Sequence, residues 1–241
     1  MKKVAVLQSN YIPWKGYFDI IHDVDLFVFY DDVQYTTRDW RNRNTVKTKD
    51  GIIWLTVPTG SDRNRTIDEV QLSAYDWQRN HYDILYMTYS KTKYFNMYKD
   101  FLENVFLEKK WGNLSQMNQY IIKYISKEFL SIETEFSDSR SFGHIEGKKH
   151  TKLLNLVKAT GAQEYLSGPA AQNYIIEKDY TEAGIKLSWK DYSNYPEYDQ
   201  VYPPFTHNVS ILDLLFHTGE EAPYYIWGWR EEKMKSVADS I

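Results

Sequence analysis

The segment KKVAVLQSNYIPWKGYFDIIHDVDLFVFYDD, Lys2 to Asp32, is the most informative part of the sequence about the fold. It opens on a continuous apolar run, Val4 to Leu7, of the kind that a parallel sheet buries on both faces. Pro13 suits the first turn of a helix, and apolar side chains then recur at helical spacing at Tyr17, Ile20, Ile21 and Val24. The segment DLFVFYDD is predicted as a second strand. A strand, a helix and a strand within about thirty residues predict a right-handed βαβ unit with a parallel strand pair.

The segment NRNTVKTKDGIIWLTVP predicts a β-hairpin with its turn at Lys49–Asp50–Gly51. Because side chains alternate along a strand, its first strand is expected to place four residues on one, mainly cationic face: Arg41, Arg43, Thr45 and Lys47. Residues 73–131 then show helical periodicity. We predict three helices there, inserted into the α/β pattern.

The last third of the chain returns to alternating helices and strands. KKHTKLLNLVKATG predicts a helix that ends at Gly161, and IKLSWKDY predicts a strand. We therefore predict an α/β protein with a mainly parallel, Rossmann-like sheet, a β-hairpin and a helical insertion. Residues 1–241 are expected to form a single domain, with the insertion at 73–131 inside it. A nucleotidyltransferase-like variant of this fold stays open as an alternative.

Composition excludes several classes of function. The chain has 33 acidic against 29 basic residues and a net charge of −4, so no global positive field favours a nucleic-acid partner. Cysteine is absent, which removes thiolate nucleophiles and sulfur-ligated zinc. The six histidines lack metal-ligand spacing, and we predict no metal site. The amino-terminal apolar run is too short for a signal or a membrane span. We predict a cytoplasmic protein without membrane insertion, compatible with a homodimer.

Familiar catalytic motifs are missing from the sequence. It contains no Gly-x-Ser-x-Gly elbow, no Walker loop and no Gly-x-Gly-x-x-Gly fingerprint. In SNYIPWKGYFDII, Trp14 and Tyr17 occupy positions where nucleotidyltransferase-like folds keep their ATP-handling histidines. The helix amino terminus at Gly16 can still receive a phosphate through its free amides.

Polar residues follow the two predicted strands. Gln8 comes after the first strand, and Asp31 and Asp32 come after the second. In open α/β sheets the carboxyl ends of the strands line the ligand crevice. Because neighbouring residues on a strand face opposite ways, we expect one of the two aspartates to reach a shared site. The alternative is that local backbone donors satisfy both carboxylates.

The segment DDVQYTTRDWRNRN, Asp31 to Asn44, combines three arginines with a tryptophan. Arginine grips phosphate or carboxylate with two parallel hydrogen bonds, and tryptophan stacks on rings. The segment thus favours a binding face for a nucleotide or a nucleotide-linked sugar. The alternative is a ladder of arginine and aspartate on an exposed edge strand, which contributes little stability.

Several segments together resemble the WbqC-like family nearly end to end: LQSNYIPWKGYFDII, VFYDDVQYTTRDWRNRN, WLTVP, YLSGPAAQNY and SILDLLFHTG. One departure is Ser9, where the family pattern leads us to expect proline after Gln8. The resemblance implies a role in bacterial surface-polysaccharide biosynthesis, such as O-antigen, lipopolysaccharide or capsule, with transfer of glycine or a related acyl group to an amino sugar. It also implies a signature of Gln8, Tyr11, Trp14, Asp32, Gln34, Tyr35, Arg38, Trp40, Arg41, Asn42 and Arg43.

The residues and the resemblance together suggest an amide-forming N-acyl or N-aminoacyl transferase that acts on a nucleotide-linked amino-deoxy sugar. Arg38, Arg41 and Arg43 are expected to hold the diphosphate, Trp14 or Trp40 to stack on the base or sugar, and Tyr11 and Gln34 to bind the hexose. Either His81 or Asp32 is expected to be the catalytic base. The acyl donor stays open between a thioester, an aminoacyl-tRNA and an adenylate made from ATP. Alternatives are a non-catalytic nucleotide-sugar or glycan-binding accessory protein and a structural interaction module.

Overall fold

A computed structural model of the chain describes residues 1–72, 74 and 76–238, with the side chains of all of these except 234–238. Ser73, the predicted first residue of the helical insertion, lies outside the described residues. The strands are β1 (Lys3–Leu7), β2 (Leu26–Phe29), β3 (Arg43–Thr48), β4 (Gly51–Thr56), β5 (Glu135–Asp138), β6 (Glu164–Ser167) and β7 (Lys186–Trp189). The helices are α1 (Lys15–His22), α2 (Asp76–Tyr89), α3 (Phe95–Glu103), α4 (Leu114–Tyr124), α5 (His150–Ala159), α6 (Glu177–Glu182), α7 (Ile211–Thr218) and α8 (Trp229–Ala238).

Five strands form one parallel sheet in the order β5-β2-β1-β6-β7. The chain runs from β1 outward through β2 to β5, and then starts again on the other side of β1 with β6 and β7. The order of the strands therefore reverses between β1 and β6, which makes that gap the topological switch point of a doubly wound sheet. The predicted Rossmann-like α/β fold is confirmed.

The two faces of the sheet pack against different layers, because residues alternate along each strand. Val4 and Val6 of β1 pack with Leu156 of α5 in a smaller apolar cluster. Ala5 of β1 and Phe27 of β2 belong to the larger cluster on the opposite face. That larger cluster also contains the buried side chains of α1, α2, α3, α4 and α7. Continuous apolar strands buried on both faces are what a three-layer α/β fold requires.

The predicted hairpin is present as the antiparallel pair β3 and β4, with Thr48 opposite Gly51 across a two-residue turn. Its predicted cationic face does not form as a free surface. Arg41 precedes β3, and Lys47 is buried, with its ammonium group bonded to Gln200 and the carbonyl of Pro204.

Three α-helices, α2 to α4, lie between the hairpin and β5, as predicted. The side chain of Asn113 caps α4 by accepting a hydrogen bond from the amide of Gln116 at 3.0 Å. Three of these elements were not predicted: the polar edge strand β5, the short helix α6 and the carboxyl-terminal helix α8. Pro13 lies outside α1, which begins at Lys15. The organisation of residues 1–241 as one domain stays a prediction.

None of the helices in the described part of the chain is long and apolar enough to cross a membrane.

Candidate active site at the carboxyl edge of the sheet

A cavity of about 890 Å³ opens where β1, β2 and β6 end. We call it the switch-point cavity, because it lies at the gap between β1 and β6 where doubly wound sheets bind their ligands. One wall follows β1 and β2 and the other follows β6 and precedes α5. Its lining includes Gln8, Asn10, Tyr30, Asp32, Gln34, Arg41, Gly147, Lys148, Lys149, Lys152, Tyr165, Ser167, Gly168 and Tyr174.

The two consecutive aspartates after β2 face opposite ways. Asp31 is fully buried on the side of α4, where it accepts hydrogen bonds from the Ser9 amide at 2.8 Å and from the Ser115 hydroxyl at 2.5 Å. Burial raises the pKa of the Asp31 carboxyl, and these hydrogen bonds partly counteract the shift. Asp32 lines the switch-point cavity. The structure thus brings one carboxylate of the pair to the cavity and uses the other to join β1 to α4.

Asp32 is held in place by residues from two other elements. The Lys152 ammonium group, on the first turn of α5, donates to the Asp32 carboxylate at 2.6 Å and to the Asp32 carbonyl oxygen at 2.9 Å. The Ser139 hydroxyl, directly after β5, donates to the other carboxylate oxygen. Lys152 also lies 5.5 Å from the centre of the Tyr30 ring. The carboxylate is therefore oriented before any ligand arrives.

Two further lysines stand at the amino terminus of α5. Lys148 and Lys149 are exposed, line the cavity and have no side-chain partner among the described residues. A helix amino terminus carries a partial positive charge and disfavours cations, yet the first turn of α5 holds no acidic residue. Lys149 also has a left-handed backbone with φ of +48°, which is uncommon for a residue with a side chain. This arrangement is suited to an anion.

Gly147 permits the tight turn into α5. Its φ is +106°, and a Cβ atom there would lie 2.9 Å from Cγ2 of Thr151. A residue with a side chain would therefore have to shift the first turn of the helix and the two lysines with it.

Tyrosine rings complete the cavity. Tyr30, Tyr165 and Tyr174 all line it. Burial raises the pKa of each phenol, and for Tyr30 the Asp32 carboxylate raises it further. Their hydroxyl groups therefore keep their protons at neutral pH and can both donate and accept hydrogen bonds.

Arg41, from the arginine-rich segment Asp31 to Asn44, lines this cavity. Its side chain is 19% exposed and pairs with Asp39 at 2.7 Å, while its Nε atom is buried without a partner among the described residues. Gln34, on the same wall, donates to the carbonyl oxygens of Arg63 and Arg65. Gln8 contributes its side of the wall, and its carbonyl oxygen accepts from the Tyr17 hydroxyl at 2.9 Å.

A second, smaller cavity of about 310 Å³ lies beside the first. We call it the Trp14–Trp40 cavity; it is lined by Asn10, Pro13, Trp14, Trp40, Asn44, Asn208 and Val209. Asn10 lines both cavities and therefore stands between them. Trp40 is 47% exposed and its ring lies 5.4 Å from that of Trp54. Trp14 packs over Gly16, where a Cβ atom would lie 2.3 Å from the indole.

The remaining predicted site residues lie away from the switch-point cavity. His81 is 3% exposed, and its Nδ1 atom accepts from the Tyr11 hydroxyl at 2.7 Å. Burial lowers the pKa of His81 to about 4, so the ring is neutral at pH 7. Tyr11 is itself fully buried. Together they form a hydrogen-bonded pair in the interior, and neither residue lines the switch-point cavity.

The other members of the signature mostly support the hairpin and its neighbours. Tyr35 is buried and bonds to the Thr59 hydroxyl, and Asn42 donates to the carbonyl oxygen of Val57. The Arg43 guanidinium lies 4.0 Å from the centre of the Trp54 ring. Arg38 is exposed, with φ of +56°. Of the three arginines expected to hold a diphosphate, Arg41 alone lines the switch-point cavity.

The sequence predicted a helix in this segment but no part of a site. Four of its residues form a wall of the cavity: Gly147, Lys148, Lys149 and Lys152. A signal was present: cations stand where a helix amino terminus normally carries acidic residues. No cluster of histidine and acidic residues in the described ranges is suited to hold a metal ion.

Comparisons with known proteins extend over nearly the whole chain. The model of the WbqC-like protein family matches residues 8–225. The uncharacterized protein Rv1507c of Mycobacterium tuberculosis is 43% identical over 228 residues, which cover 94% of this chain and 98% of that protein. No solved structure matches the chain.

Proposed function

The chain belongs to the WbqC-like protein family, and we propose that it is an amide-forming N-acyl or N-aminoacyl transferase acting on a nucleotide-linked amino-deoxy sugar. The observation that carries this proposal is the switch-point cavity, in which one oriented carboxylate faces two lysines that have no partner among the described residues. A ligand that suits it combines an amine with a polyanion. A nucleotide-linked amino sugar has both groups.

The lysine wall suits the diphosphate of such a ligand. Lys148 and Lys149 line the cavity at the amino terminus of α5, where the helix dipole adds a partial positive charge. Arg41 stands on the opposite wall and can close on the same anion. The tyrosine rings of Tyr165 and Tyr174 offer faces for the base or the sugar.

Asp32 suits the amino group of the sugar. As the amine attacks an acyl carbon and the new C–N bond forms, its nitrogen becomes acidic, and a carboxylate within hydrogen-bond reach accepts the proton. Lys152 and Ser139 fix the orientation of this carboxylate, so little reorganisation is needed during the reaction. We assign the base to Asp32 rather than His81, because His81 is buried and its Nδ1 atom is bonded to the Tyr11 hydroxyl in the interior.

We propose that this reaction serves the synthesis of bacterial surface polysaccharides, O-antigen or capsule, in the cytoplasm, and the family resemblance supports this role. There the acylated nucleotide sugar would serve as the substrate of a glycosyltransferase. The acidic composition agrees with a small nucleotide-linked substrate better than with a nucleic acid.

A second candidate is a non-catalytic protein that binds the same nucleotide sugar. The engagement of Asp32 by both Lys152 and Ser139 favours it, because a carboxylate with two partners has fewer lone pairs free for a proton. This candidate predicts affinity without turnover.

The variant Asp32→Asn separates the two candidates. Calorimetric titration with a UDP- or dTDP-linked amino-deoxy sugar measures binding, and mass spectrometry of the product measures acylation. The enzyme predicts that the variant keeps its affinity within a few-fold and loses about 10²- to 10⁴-fold in rate. If the wild type binds the sugar nucleotide but acylates it with none of the three donor classes, the binding protein is the correct reading.

A further inference from the structure

The loop between β1 and α1 separates the two cavities and carries the most unusual backbone of the amino-terminal half. Ile12, a β-branched residue, has φ of +36°, a conformation that is strained for such a side chain. Strain of this kind persists only where surrounding contacts impose it, and it concentrates at functional sites. This points to a role for the residues on either side, Asn10 and Trp14.

Contacts from the hairpin hold the strained loop. The Tyr11 amide donates to the carbonyl oxygen of Trp40 at 2.9 Å. The Asn44 side chain donates to the carbonyl oxygens of Tyr11 and Ile12 at 3.1 and 2.9 Å. Trp40 and Asn44 also line the Trp14–Trp40 cavity, so the residues that impose the strain also form the walls of that cavity.

The lining of the Trp14–Trp40 cavity has a defined chemistry. Two indoles and the apolar side chains of Pro13 and Val209 provide surfaces on which a flat ring can stack. Three carboxamides stand among them: Asn10, Asn44 and Asn208. The Oδ1 atom of Asn10 is buried and has no hydrogen-bond partner among the described residues. Among the residues whose side chains the structure describes, no lysine or arginine lines this cavity.

This combination matches adenine better than the other bases. A carboxamide pairs with the amino group and the ring nitrogen of adenine through one acceptor and one donor, whereas guanine is read by arginine or lysine. An unpartnered Oδ1 acceptor such as that of Asn10 suits the adenine amino group. Stacking of a base on aromatic side chains contributes most of the affinity at such sites.

We propose that the Trp14–Trp40 cavity binds the adenine of an acyl adenylate, which places the acyl donor directly beside the acceptor across Asn10. This inference rests on the proposed function, because it identifies the donor of that reaction. A small nucleotide is favoured over a tRNA end because the chain is net negative and its pI is about 5.9.

The transfer step needs no reactant other than the amino sugar and the acyl adenylate. The amine of the sugar attacks the acyl carbon of the adenylate, and the new C–N bond forms. The bond between that carbon and the phosphate oxygen breaks, and its electron pair leaves with AMP. The amine proton passes to Asp32. The adenylate itself comes from ATP and the free acid, with release of pyrophosphate.

Calorimetric titration with AMP, GMP, CMP and UMP tests the adenine site. We expect AMP to bind at least about tenfold more tightly than the other three. Trp40→Ala should weaken AMP binding about 5- to 150-fold, and Asn208→Ala, an exposed position, should weaken it in the same direction. Tyr86→Ala is the matched control, because Tyr86 is 46% exposed and lines neither cavity. Equal binding of the four nucleotides, or an unchanged AMP affinity in both cavity variants, overturns the proposal.

Two further experiments identify the acyl donor and test the adenine site independently of the proposed function. Amide formation with freshly prepared glycyl adenylate supports the proposal, whereas product formed only from glycyl-tRNA or a glycyl thioester overturns it. The double variant Lys148→Ala/Lys149→Ala should bind AMP like the wild type. If AMP binding depends on Trp40 while no nucleotide sugar binds the switch-point cavity, the adenine site is supported. The proposed nucleotide-sugar acceptor is then wrong.

Discussion

The two walls of the switch-point cavity differ in how their charged groups are used. On the wall after β1 and β2, Arg41 pairs with Asp39 and Asp32 pairs with Lys152, while Asp31 faces away into the protein. On the wall before α5, Lys148 and Lys149 have no side-chain partner in the part of the chain that the structure describes. Arg41, Asp39 and Asp32 of the first wall are thus already paired, whereas the lysine pair of the second wall remains available to a ligand.

The type of a charged residue therefore does not show whether its side chain is free to bind a ligand. Charged residues crowded together in sequence often pair with one another, and such pairs leave fewer charges for a ligand while contributing little to stability. Lysines at a helix amino terminus act against the helix dipole, so an unneutralised pair there indicates an anion.

The buried aspartate should be the most sensitive position on the first wall. Replacing Asp31 with Ala leaves the Ser9 amide and the Ser115 hydroxyl without their acceptor in the interior. We expect the free energy of unfolding to fall by about 4 kcal/mol, since each unsatisfied buried group costs about 1–3 kcal/mol. Urea denaturation measures this change. The neighbouring variant Asp32→Ala is the control, and its free energy of unfolding should fall by about 1 kcal/mol. Equal losses at the two positions would contradict the conclusion that Asp31 supports the fold while Asp32 serves the cavity.

His81 should make the protein sensitive to acid. Its pKa in the folded state is lowered to about 4 by burial, against about 6.5 in the unfolded chain. The unfolded state therefore binds more protons between these values, and the stability present above pH 6.5 is lost as the pH falls to about 4. The expected loss is about 3 kcal/mol.

Denaturation midpoints across that pH range check this prediction. The variant His81→Gln retains a hydrogen-bonding group for Tyr11 but does not titrate, so its stability should fall less steeply between pH 6.5 and 4. A variant with the same pH dependence as the wild type would assign the acid sensitivity to other groups.

The lysine wall should affect binding rather than stability. The double variant Lys148→Ala/Lys149→Ala is expected to bind a nucleotide-linked amino sugar at least about tenfold more weakly, because each lost contact to a phosphate removes a charge-assisted hydrogen bond. Lys49→Ala/Lys178→Ala removes the same charge from two lysines that are 76% and 80% exposed elsewhere. Titration calorimetry should show the loss in the first double variant only; similar losses in both would indicate a general effect of charge.

The smallest effect concerns the free protein. Exchanging Lys149 for Glu places an acidic residue at the amino terminus of α5, where the helix dipole stabilises it by about 0.5 kcal/mol. Thermal denaturation without ligand should show a slightly raised midpoint, together with weaker binding of the nucleotide sugar. A lowered midpoint would show that Lys149 supports the helix rather than a ligand.

Much of the fold could be predicted because it depends on local patterns. The apolar run at Val4 and the helical stripe at Ile20 and Ile21 report burial directly. Strand β5 escaped prediction because its residues, Glu135 to Asp138, are mostly polar and it forms an edge of the sheet. Its contribution to the site, Ser139, was missed with it.

The site was predictable only in part, since sequence does not show which polar groups meet. Gln8, Asp31 and Asp32 were expected at the carboxyl edge, and Gln8 and Asp32 line the switch-point cavity there, whereas Asp31 does not. His81 has the side chain of a base, but its burial against Tyr11 depends on tertiary packing that no local pattern reports. The lysine pair is separated from Asp32 by more than a hundred residues, and only the sheet order brings them together.

A crystal structure with a bound nucleotide-linked amino sugar would show which wall of the switch-point cavity holds the diphosphate. We expect the diphosphate within hydrogen-bond distance of Lys148 and Lys149 at the amino terminus of α5, with the sugar nitrogen against the Asp32 carboxylate. A ligand bound with its diphosphate on Arg38 and Arg43 instead, and with the lysine pair left facing solvent, would contradict it.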